Sequence, residues 1–156
     1  MNFDTIKSKM ELLTSRHPKA KQVEAVQNVI LQRDTLCLLP TGYGKTLIFQ
    51  VLPPLYSLLS QEGLIYHSPN DPLVIVVSPL VALMKSQVES INKGNRIDGA
   101  LASTLDDFAF RERKEINILI GSPESWLHQS TMHKIIKHLS KDIIAIVVDE
   151  AHTVKW

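Results

Sequence analysis

The stretch LLPTGYGKTLIFQ, Leu38 to Gln50, decides the fold because it matches all but one position of a glycine-rich loop. Such a loop has the pattern G-x-x-x-x-G-K-[ST], in which the lysine reaches nucleotide phosphates and the hydroxyl faces Mg²⁺. Gly44, Lys45 and Thr46 fit this pattern, but Leu39 occupies the position of its first glycine. The stretch is therefore a damaged nucleotide site, a chance match, or a site of a class that does not use this glycine.

The residues around the loop place it between a strand and a helix. The apolar run TLCLL, Thr35 to Leu39, predicts a strand before the loop, and Lys45 to Ser60 has the apolar spacing of a helix. Backbone N–H groups at the start of a helix lack partners and attract anions. Gly42 and Gly44 let the backbone approach a phosphate without a Cβ clash. This order of elements favours phosphate binding over a chance Lys-Thr pair in a glycine-rich turn.

The rest of the chain alternates predicted strands with predicted helices. Short β-branched runs predict further strands at Leu73 to Val77, Asn117 to Gly121 and Ile143 to Val148. Helices are expected at 3–14, 19–32, 79–92 and 132–139, and Pro53-Pro54 should end or kink the helix after the loop. Such alternation predicts an α/β fold with a mostly parallel sheet flanked by helices.

The composition is typical of a globular protein, with 44% hydrophobic and 21% charged residues. No apolar run approaches the roughly 20 residues that a membrane-spanning helix needs. Cys37 is the only cysteine, which excludes a disulfide framework, and its apolar surroundings predict a buried thiol. We expect an intracellular protein, nuclear if the source is eukaryotic and otherwise cytoplasmic. Because the net charge is only +1, any contact with nucleic acid is expected to be local or to need help from parts outside this sequence.

A second motif, VVDEAH at Val147 to His152, follows the last predicted strand. The C-terminal end of a buried parallel strand lies at the crevice where α/β folds bind ligands. There Asp149 can hold Mg²⁺ and Glu150 can orient or deprotonate a water. An acidic pair after a strand is usually surface, but this pair follows a glycine loop by about a hundred residues and is interpreted as a Walker B motif.

Together, LPTGYGKT and DEAH resemble the superfamily 2 helicases, whose first motif runs x-x-T-G-x-G-K-[ST] and has no glycine at the Leu39 position. Within that superfamily the chain resembles the RecQ-like ATP-dependent DNA helicases from about residue 16 to its end. VVSPLVALMKSQVE, Val76 to Glu89, resembles that family's motif Ia, and Gln22 lies where the family has an adenine-reading glutamine. The resemblance implies the first RecA-like lobe, a P-loop NTPase domain, of an enzyme that couples ATP hydrolysis to 3′-to-5′ unwinding of duplex DNA.

The resemblance also implies a role for each motif residue, with ATP and Mg²⁺ as cofactors and DNA, single-stranded or at duplex junctions, as partner. The implied catalytic residues are Lys45, Glu150 and His152, the last as a link to a second RecA-like lobe. The implied nucleotide-binding residues are Gln22, Pro40, Thr41, Gly42, Tyr43, Gly44, Lys45, Thr46 and Asp149, with Thr46 and Asp149 holding Mg²⁺. The implied DNA-binding residues are Ser78, Pro79, Leu80, Lys85, Ser122, Pro123 and Glu124.

The chain also differs from the family pattern. Lys19 stands where the family has an arginine before the glutamine, S-P-E-S at Ser122 to Ser125 replaces A-P-E-R, Thr153 replaces a cysteine, and Trp156 comes one residue early. By resemblance, residues 1–156 form one domain truncated just after DEAH, without the strand expected between TLCLL and IIAIVV. We therefore expect an incomplete sheet, in which these two runs either have open edges or pair directly, and no ATP hydrolysis by the chain alone.

Other functions stay open. A DEAD-box-like RNA helicase has P-T-R-E-L at motif Ia, where this chain has Ser78-Pro79-Leu80. A truncated remnant that binds nucleotide or a partner without catalysis would fit the ending at Trp156 and the modest charge. A P-loop kinase or transporter ATPase is disfavoured by the DEAH motif and by Leu39.

Overall fold

The computed structural model describes residues 1–94, 97–108, 116–128 and 130–153, so Trp156 lies outside the described residues. The helices are Phe3–Thr14 (α1), Ala20–Ile30 (α2), Lys45–Gln50 (α3), Leu52–Gln61 (α4), Val81–Glu89 (α5), Leu105–Phe108 (α6), Pro123–His128 (α7) and Ser130–Leu139 (α8). The strands are Leu73–Val77 (β1), Ala102–Thr104 (β2), Ile118–Gly121 (β3) and Ile143–Val148 (β4). A π-helical turn, Ser90–Gly94, extends α5, and a 3₁₀ turn, Ala151–Thr153, follows β4. None of the helices described is long and apolar enough to cross a membrane.

The strands form a parallel sheet in the order β2-β3-β1-β4. β1 lies inside the sheet, with Val76 level with Ile120 of β3 and with Val147 of β4. All the pairings are parallel, and parallel neighbours need crossover connections such as the intervening helices. The predicted α/β fold with a parallel sheet flanked by helices is therefore confirmed.

Side chains of β1 alternate between two apolar layers. Val74 and Val76 pack into a layer with residues of α1, α2, α4 and α5. Leu73 and Ile75 pack on the opposite face with residues of α6, α7 and α8. Because successive strand residues point to opposite faces, the uninterrupted apolar run LVIVV is what a strand covered on both faces requires.

The helix after the glycine loop is divided in two at Val51. Pro53 and Pro54 lie in the first turn of α4, where their missing N–H groups would have had no helical partner. The predicted break at the proline pair is therefore confirmed. It lets the chain turn between α3, which carries Lys45, and the buried face of α4.

The predicted strand at Thr35 to Leu39 is wrong. These residues form no strand, and the side chains of Leu36 and Leu38 are 75% and 85% exposed. A strand is held by backbone hydrogen bonds to a neighbour, and none of the described strands pairs with this run. Cys37, which was predicted to be buried, is exposed for the same reason. An apolar run predicts burial only where a neighbouring element exists to provide it.

β4 forms the edge of the sheet that faces this run. Among the described strands it pairs with β1 alone, and Ile146 and Val148 are 66% and 49% exposed. A cleft of about 890 Å³ is lined by both β4 and Thr35 to Leu39. Of the two outcomes expected for these runs, the structure shows the open edge and not the direct pairing.

Candidate nucleotide and nucleic-acid site

Two glycines shape the loop at residues 40–44. Gly42 and Gly44 have φ angles of 80° and 90°, a region that residues with a Cβ rarely adopt. A Cβ at Gly44 would also lie 2.7 Å from Nε2 of Gln22. Lys45 and Thr46, the first residues of α3, are exposed, as are Pro40 and Thr41. The loop therefore presents a lysine and a hydroxyl to solvent at the start of a helix.

Gln22 is buried under the loop and holds it to α2. Its Nε2 donates to the carbonyl oxygens of Tyr43 at 3.2 Å and Gly44 at 2.9 Å. Its Oε1 accepts from the backbone N–H of Lys19 at 2.8 Å. The nitrogen and the oxygen of the amide are thus both hydrogen-bonded within the protein. Hydrogen bonds from Gln22 to adenine would have to replace these contacts. The adenine role of Gln22 stays a prediction.

Lys19 holds the same loop from the outside. Its Nζ lies 4.5 Å from the centroid of the Tyr43 ring and donates to the Tyr43 carbonyl oxygen at 3.2 Å. A cation over an aromatic face is attracted by the negative potential of the ring. Sequence reasoning assigned Tyr43 to the nucleotide but missed this contact. The lysine at position 19, where the resembled family has an arginine, was the sequence signal that could have indicated the contact with Tyr43.

Asp149 and Glu150 follow β4 and are held by their backbone. The N–H of Asp149 donates to the carbonyl oxygen of Val77 at 2.9 Å, which extends the pairing of β4 with β1. The Asp149 carboxylate accepts from the N–H of Glu150 at 2.9 Å and from Nε2 of Gln87 at 3.2 Å. Glu150 has a φ angle of 54°, and non-glycine residues in this region carry strain of order 1–3 kcal/mol. Its Oε2 lies 3.3 Å from Nδ1 of His152, which is 75% exposed.

The cleft beside β4 brings Lys45, Asp149, Glu150 and His152 together in its lining, although the lysine is far from the others in sequence. Its volume of about 890 Å³ falls within the range of roughly 300–1,000 Å³ that is usual for ligand pockets. Residues 40–44 and Thr46 lie outside its lining. A cation and two carboxylates on one cleft are the groups that a metal-bound phosphate needs.

The predicted DNA-binding residues follow the C-terminal ends of the neighbouring strands β1 and β3, except Lys85, which lies within α5. The N–H of Ser78 donates to the carbonyl oxygen of Gly121 at 2.9 Å, so the two groups meet at one edge of the sheet. Ser78 and Ser122 are only 1% and 7% exposed, and they support these turns from within. The exposed members are Leu80, Lys85 and Glu124, and the half-buried ones are Pro79 and Pro123.

The turn at Ser122 is closed by the two serines of S-P-E-S. Ser122 Oγ accepts from the N–H of Ser125 at 3.1 Å and donates to Ser125 Oγ at 2.9 Å, as an N-cap of α7 does. Trp126 donates Nε1 to the carbonyl oxygen of Val76 at 3.3 Å. A Cβ at Gly121 would lie 2.7 Å from this nitrogen, so glycine is required where the ring crosses the strand. The departure from the family's arginine thus puts a turn-closing hydroxyl at residue 125.

The chain matches the DEAD/DEAH box helicase family over residues 19–155. It belongs to this family. The chain is 34% identical to the ATP-dependent DNA helicase RecQ of Synechocystis sp. over 150 residues, which are 90% of this chain and 28% of that protein. It is 29% identical to the ATP-dependent DNA helicase RecQ of Pasteurella multocida over 143 residues, 86% of this chain and 20% of the relative. It is also 30% identical to an ATP-dependent RNA helicase of Lodderomyces elongisporus over 139 residues, 86% of this chain and 24% of the relative.

The two RecQ relatives confirm the resemblance to RecQ-like DNA helicases. The chain spans less than a third of the length of each of them. No solved structure gives a significant match. Membership of the DEAD/DEAH box helicases implies ATP binding.

Proposed function

We propose that this chain is the ATP-binding motor lobe of a RecQ-like helicase that unwinds duplex DNA with 3′-to-5′ polarity. The observation that carries the proposal is the shared cleft, which is lined by Lys45 at the start of α3 and by Asp149 and Glu150 at the end of β4. The DEAD/DEAH box match and the RecQ relatives support ATP as the nucleotide for this cleft. An intracellular location, nuclear in a eukaryote and cytoplasmic otherwise, belongs to the same proposal.

Lys45 and the metal ligands bind the triphosphate. The Lys45 ammonium, exposed on a flexible stem, acts as a point charge for the β- and γ-phosphates. Mg²⁺ is held by oxygen ligands and takes one or two carboxylates together with phosphate oxygens and waters. Asp149 and the Thr46 hydroxyl fit this preference and would hold the ion. When bound, Mg²⁺ would neutralise charge on the phosphates.

Glu150 orients the attacking water and accepts its proton. Its left-handed backbone turns the chain directly after β4, and the side chain lies on the cleft together with Lys45. His152 contacts the Glu150 carboxylate and is itself mostly exposed. That position suits a residue that links the base to a second RecA-like lobe, which is the partner expected to complete the site.

The ends of β1 and β3 form the DNA-facing edge. Lys85, exposed on α5, supplies a positive charge for a phosphate. The backbone around Pro79 and Leu80 and the turn from Ser122 to Glu124 lie at the starts of α5 and α7. The buried Ser78 holds the two turns together. Ser78-Pro79-Leu80 in place of the RNA helicases' P-T-R-E-L favours DNA over RNA.

Nucleotide binding is the first test. A fluorescent ATP analogue with Mg²⁺ should bind the chain, and Lys45→Ala should weaken binding by at least about tenfold, because a charge-assisted contact with phosphate is lost. Lys141→Ala is the matched control, since this exposed lysine lines the other end of the same cleft. Equal binding by Lys45→Ala and Lys141→Ala would contradict the site. Absence of nucleotide binding by the wild type would favour the partner-binding remnant.

Nucleic-acid choice is the second test. Single-stranded DNA and RNA of the same sequence are titrated into the chain, and we expect tighter binding of DNA. Lys85→Ala should weaken DNA binding, whereas Lys137→Ala, an exposed lysine on the helix of the opposite face, should not. A preference for RNA would overturn the DNA assignment and leave the ATP site intact.

A further inference from the structure

Gln87 is the side chain that fixes the Asp149 carboxylate. The Asp149 backbone is held by Val77, and one carboxylate oxygen accepts from the N–H of Glu150 at 2.9 Å. The other oxygen, Oδ2, accepts from Nε2 of Gln87 at 3.2 Å, across 62 residues of sequence. A carboxylate can only accept, so the amide nitrogen of Gln87 must face it and the amide oxygen must point elsewhere.

That amide oxygen is buried and unused. Among the described residues, Oε1 of Gln87 is the side-chain polar atom that is buried without a hydrogen-bond partner. Buried polar atoms are nearly always paired with protein or ordered water, and an exception calls for a donor. Mg²⁺ keeps several of its waters when a protein carboxylate and phosphates bind it, and such waters are donors. The unused oxygen therefore lies on the residue that already holds the carboxylate expected to bind Mg²⁺.

Gln87 also joins this carboxylate to the DNA-facing helix. It lies on α5 two residues after Lys85 and three residues after the buried Met84. Residues three apart share a face of a helix, whereas residues two apart do not. Met84 and Gln87 therefore point toward the sheet while Lys85 points to solvent, so a shift of α5 caused by DNA at Lys85 moves the amide that holds Asp149.

We propose that Gln87 is a positioning residue that sets the Mg²⁺ affinity of the nucleotide site and couples that affinity to DNA bound at α5. The inference rests on the proposed function, because it takes Asp149 as the Mg²⁺ ligand and α5 as the DNA-facing helix. Partners that orient metal ligands from outside the coordination shell typically change metal affinity by about 10–100-fold when removed. Gln87 acts through Asp149 and does not itself touch the nucleotide.

The test measures how much Mg²⁺ the nucleotide needs. A fluorescent ATP analogue is titrated in EDTA and at graded Mg²⁺ into the wild type, Gln87→Met and Gln61→Met. Gln61 is exposed at the end of α4 and is the matched control. We expect Gln87→Met to raise the Mg²⁺ concentration at half-maximal binding about tenfold. Its affinity in EDTA and its melting temperature should stay those of the control.

Single-stranded DNA provides the second readout. DNA bound at α5 should hold the Gln87 amide against Asp149, so an oligonucleotide should lower the Mg²⁺ concentration at half-maximal nucleotide binding of the wild type by about fivefold or more. Gln87→Met should show no such shift. A wild type without this shift overturns the coupling, and a Gln87→Met variant that behaves as Gln61→Met overturns the positioning role.

The outcomes separate this inference from the proposed function. If the wild type binds nucleotide and Lys45→Ala binds it at least about tenfold more weakly, the proposed nucleotide site stands whatever Gln87→Met shows. If the wild type binds none, both are overturned. Where Gln87→Met gives no cooperative melting, the shorter Gln87→Leu replaces it, and the same shift in Mg²⁺ requirement is expected.

Discussion

β1 and β4 have nearly the same sequence character and opposite surroundings. LVIVV and IIAIVV are uncharged and rich in β-branched residues, and both runs form parallel strands. Ile75 of β1 is 4% exposed, whereas Ile146 of β4 is 66% exposed. β1 has β3 on one side and β4 on the other, while β4 has one neighbour among the described strands. Residue pattern therefore predicts that a strand forms, and its neighbours decide whether the strand is buried.

The same difference separates the two candidate sites. At the ends of β1 and β3, Ser78 and Ser122 are buried and the turns are closed by hydrogen bonds. At the end of β4, Asp149 and Glu150 face a wide cleft with Lys45 on its wall. Electrostatic contacts weaken in water and strengthen where water is excluded. The turns at the proposed DNA-facing edge are thus held in place by hydrogen bonds, whereas the charged groups of the proposed nucleotide cleft face open water.

The largest expected effect comes from a charge placed inside β1. Ile75→Asp buries an unpaired carboxylate and should cost more than about 4 kcal/mol, enough to abolish cooperative unfolding in a protein of ordinary stability. The matched change Ile146→Asp on β4 should stay within about 1 kcal/mol of the wild type and reduce aggregation, since charges protect an edge strand. Thermal melts followed by circular dichroism and light scattering compare the two. Equal losses would show that β4 is buried as deeply as β1.

A smaller effect is expected at the end of β3. Gly121→Ala pushes a methyl group against Nε1 of Trp126, at 2.7 Å before relaxation, and overpacking of this kind typically costs about 1–3 kcal/mol. Urea denaturation gives the change in free energy of unfolding. Trp126→Phe removes the indole N–H, so the double variant should lose less than the sum of the two single ones. Strict additivity would show that the ring and residue 121 do not meet.

Much of the fold could be predicted from local patterns. The runs of β1, β3 and β4 are long enough for their composition to predict strands. Pro53 and Pro54 correctly predicted the break between α3 and α4. β2 was missed because its three residues, Ala102–Thr104, are too few to show a period. Thr35 to Leu39 was misassigned because its composition is that of a strand. Whether a neighbouring strand pairs with this run cannot be read from its own residues.

The site residues that could be predicted are those that belong to motifs with a recognisable spacing. Lys45, Asp149 and Glu150 came from motifs, and the structure brings them to one cleft. Gln87 belongs to the stretch that resembles motif Ia, but its contact with Asp149 could not be predicted in this way, since the two residues lie 62 positions apart. The buried position of Ser78 was also beyond sequence reasoning, because it depends on how β1 and β3 end side by side.

Loss of the α7 cap should have a modest effect. Ser122→Ala removes the oxygen that accepts from the N–H of Ser125, and N-cap losses typically cost about 1 kcal/mol. Ser60→Ala, at an exposed position within α4, is the control and should change little. The free energy of unfolding in urea measures both variants. A loss above about 2 kcal/mol would mean that the turn carries more of the fold than its cap accounts for.

The smallest effect is expected from alkylation of Cys37, which lies in the exposed run Thr35 to Leu39. The thiol is exposed, so iodoacetamide should modify the native chain completely, whereas a thiol in a paired, covered strand would react only through unfolding. Partial burial by surrounding protein atoms raises the pKa of Cys37 by desolvation, and the negative charge of Glu24 adds to the increase.

The raised pKa gives the reaction a definite pH dependence. A higher pKa leaves less thiolate at a given pH, so near pH 8 the native chain should react more slowly than the chain in urea, and the ratio should approach one as the pH rises above the native pKa. Glu24→Gln removes the charge and should speed the native reaction alone. Mass spectrometry of the alkylated chain between pH 7 and 10 measures both rates. A native chain that resists alkylation at every pH would mean that Thr35 to Leu39 is covered. The contrast between the buried strand β1 and the exposed edge at β4 would then be wrong, because Cys37 tests that exposure directly.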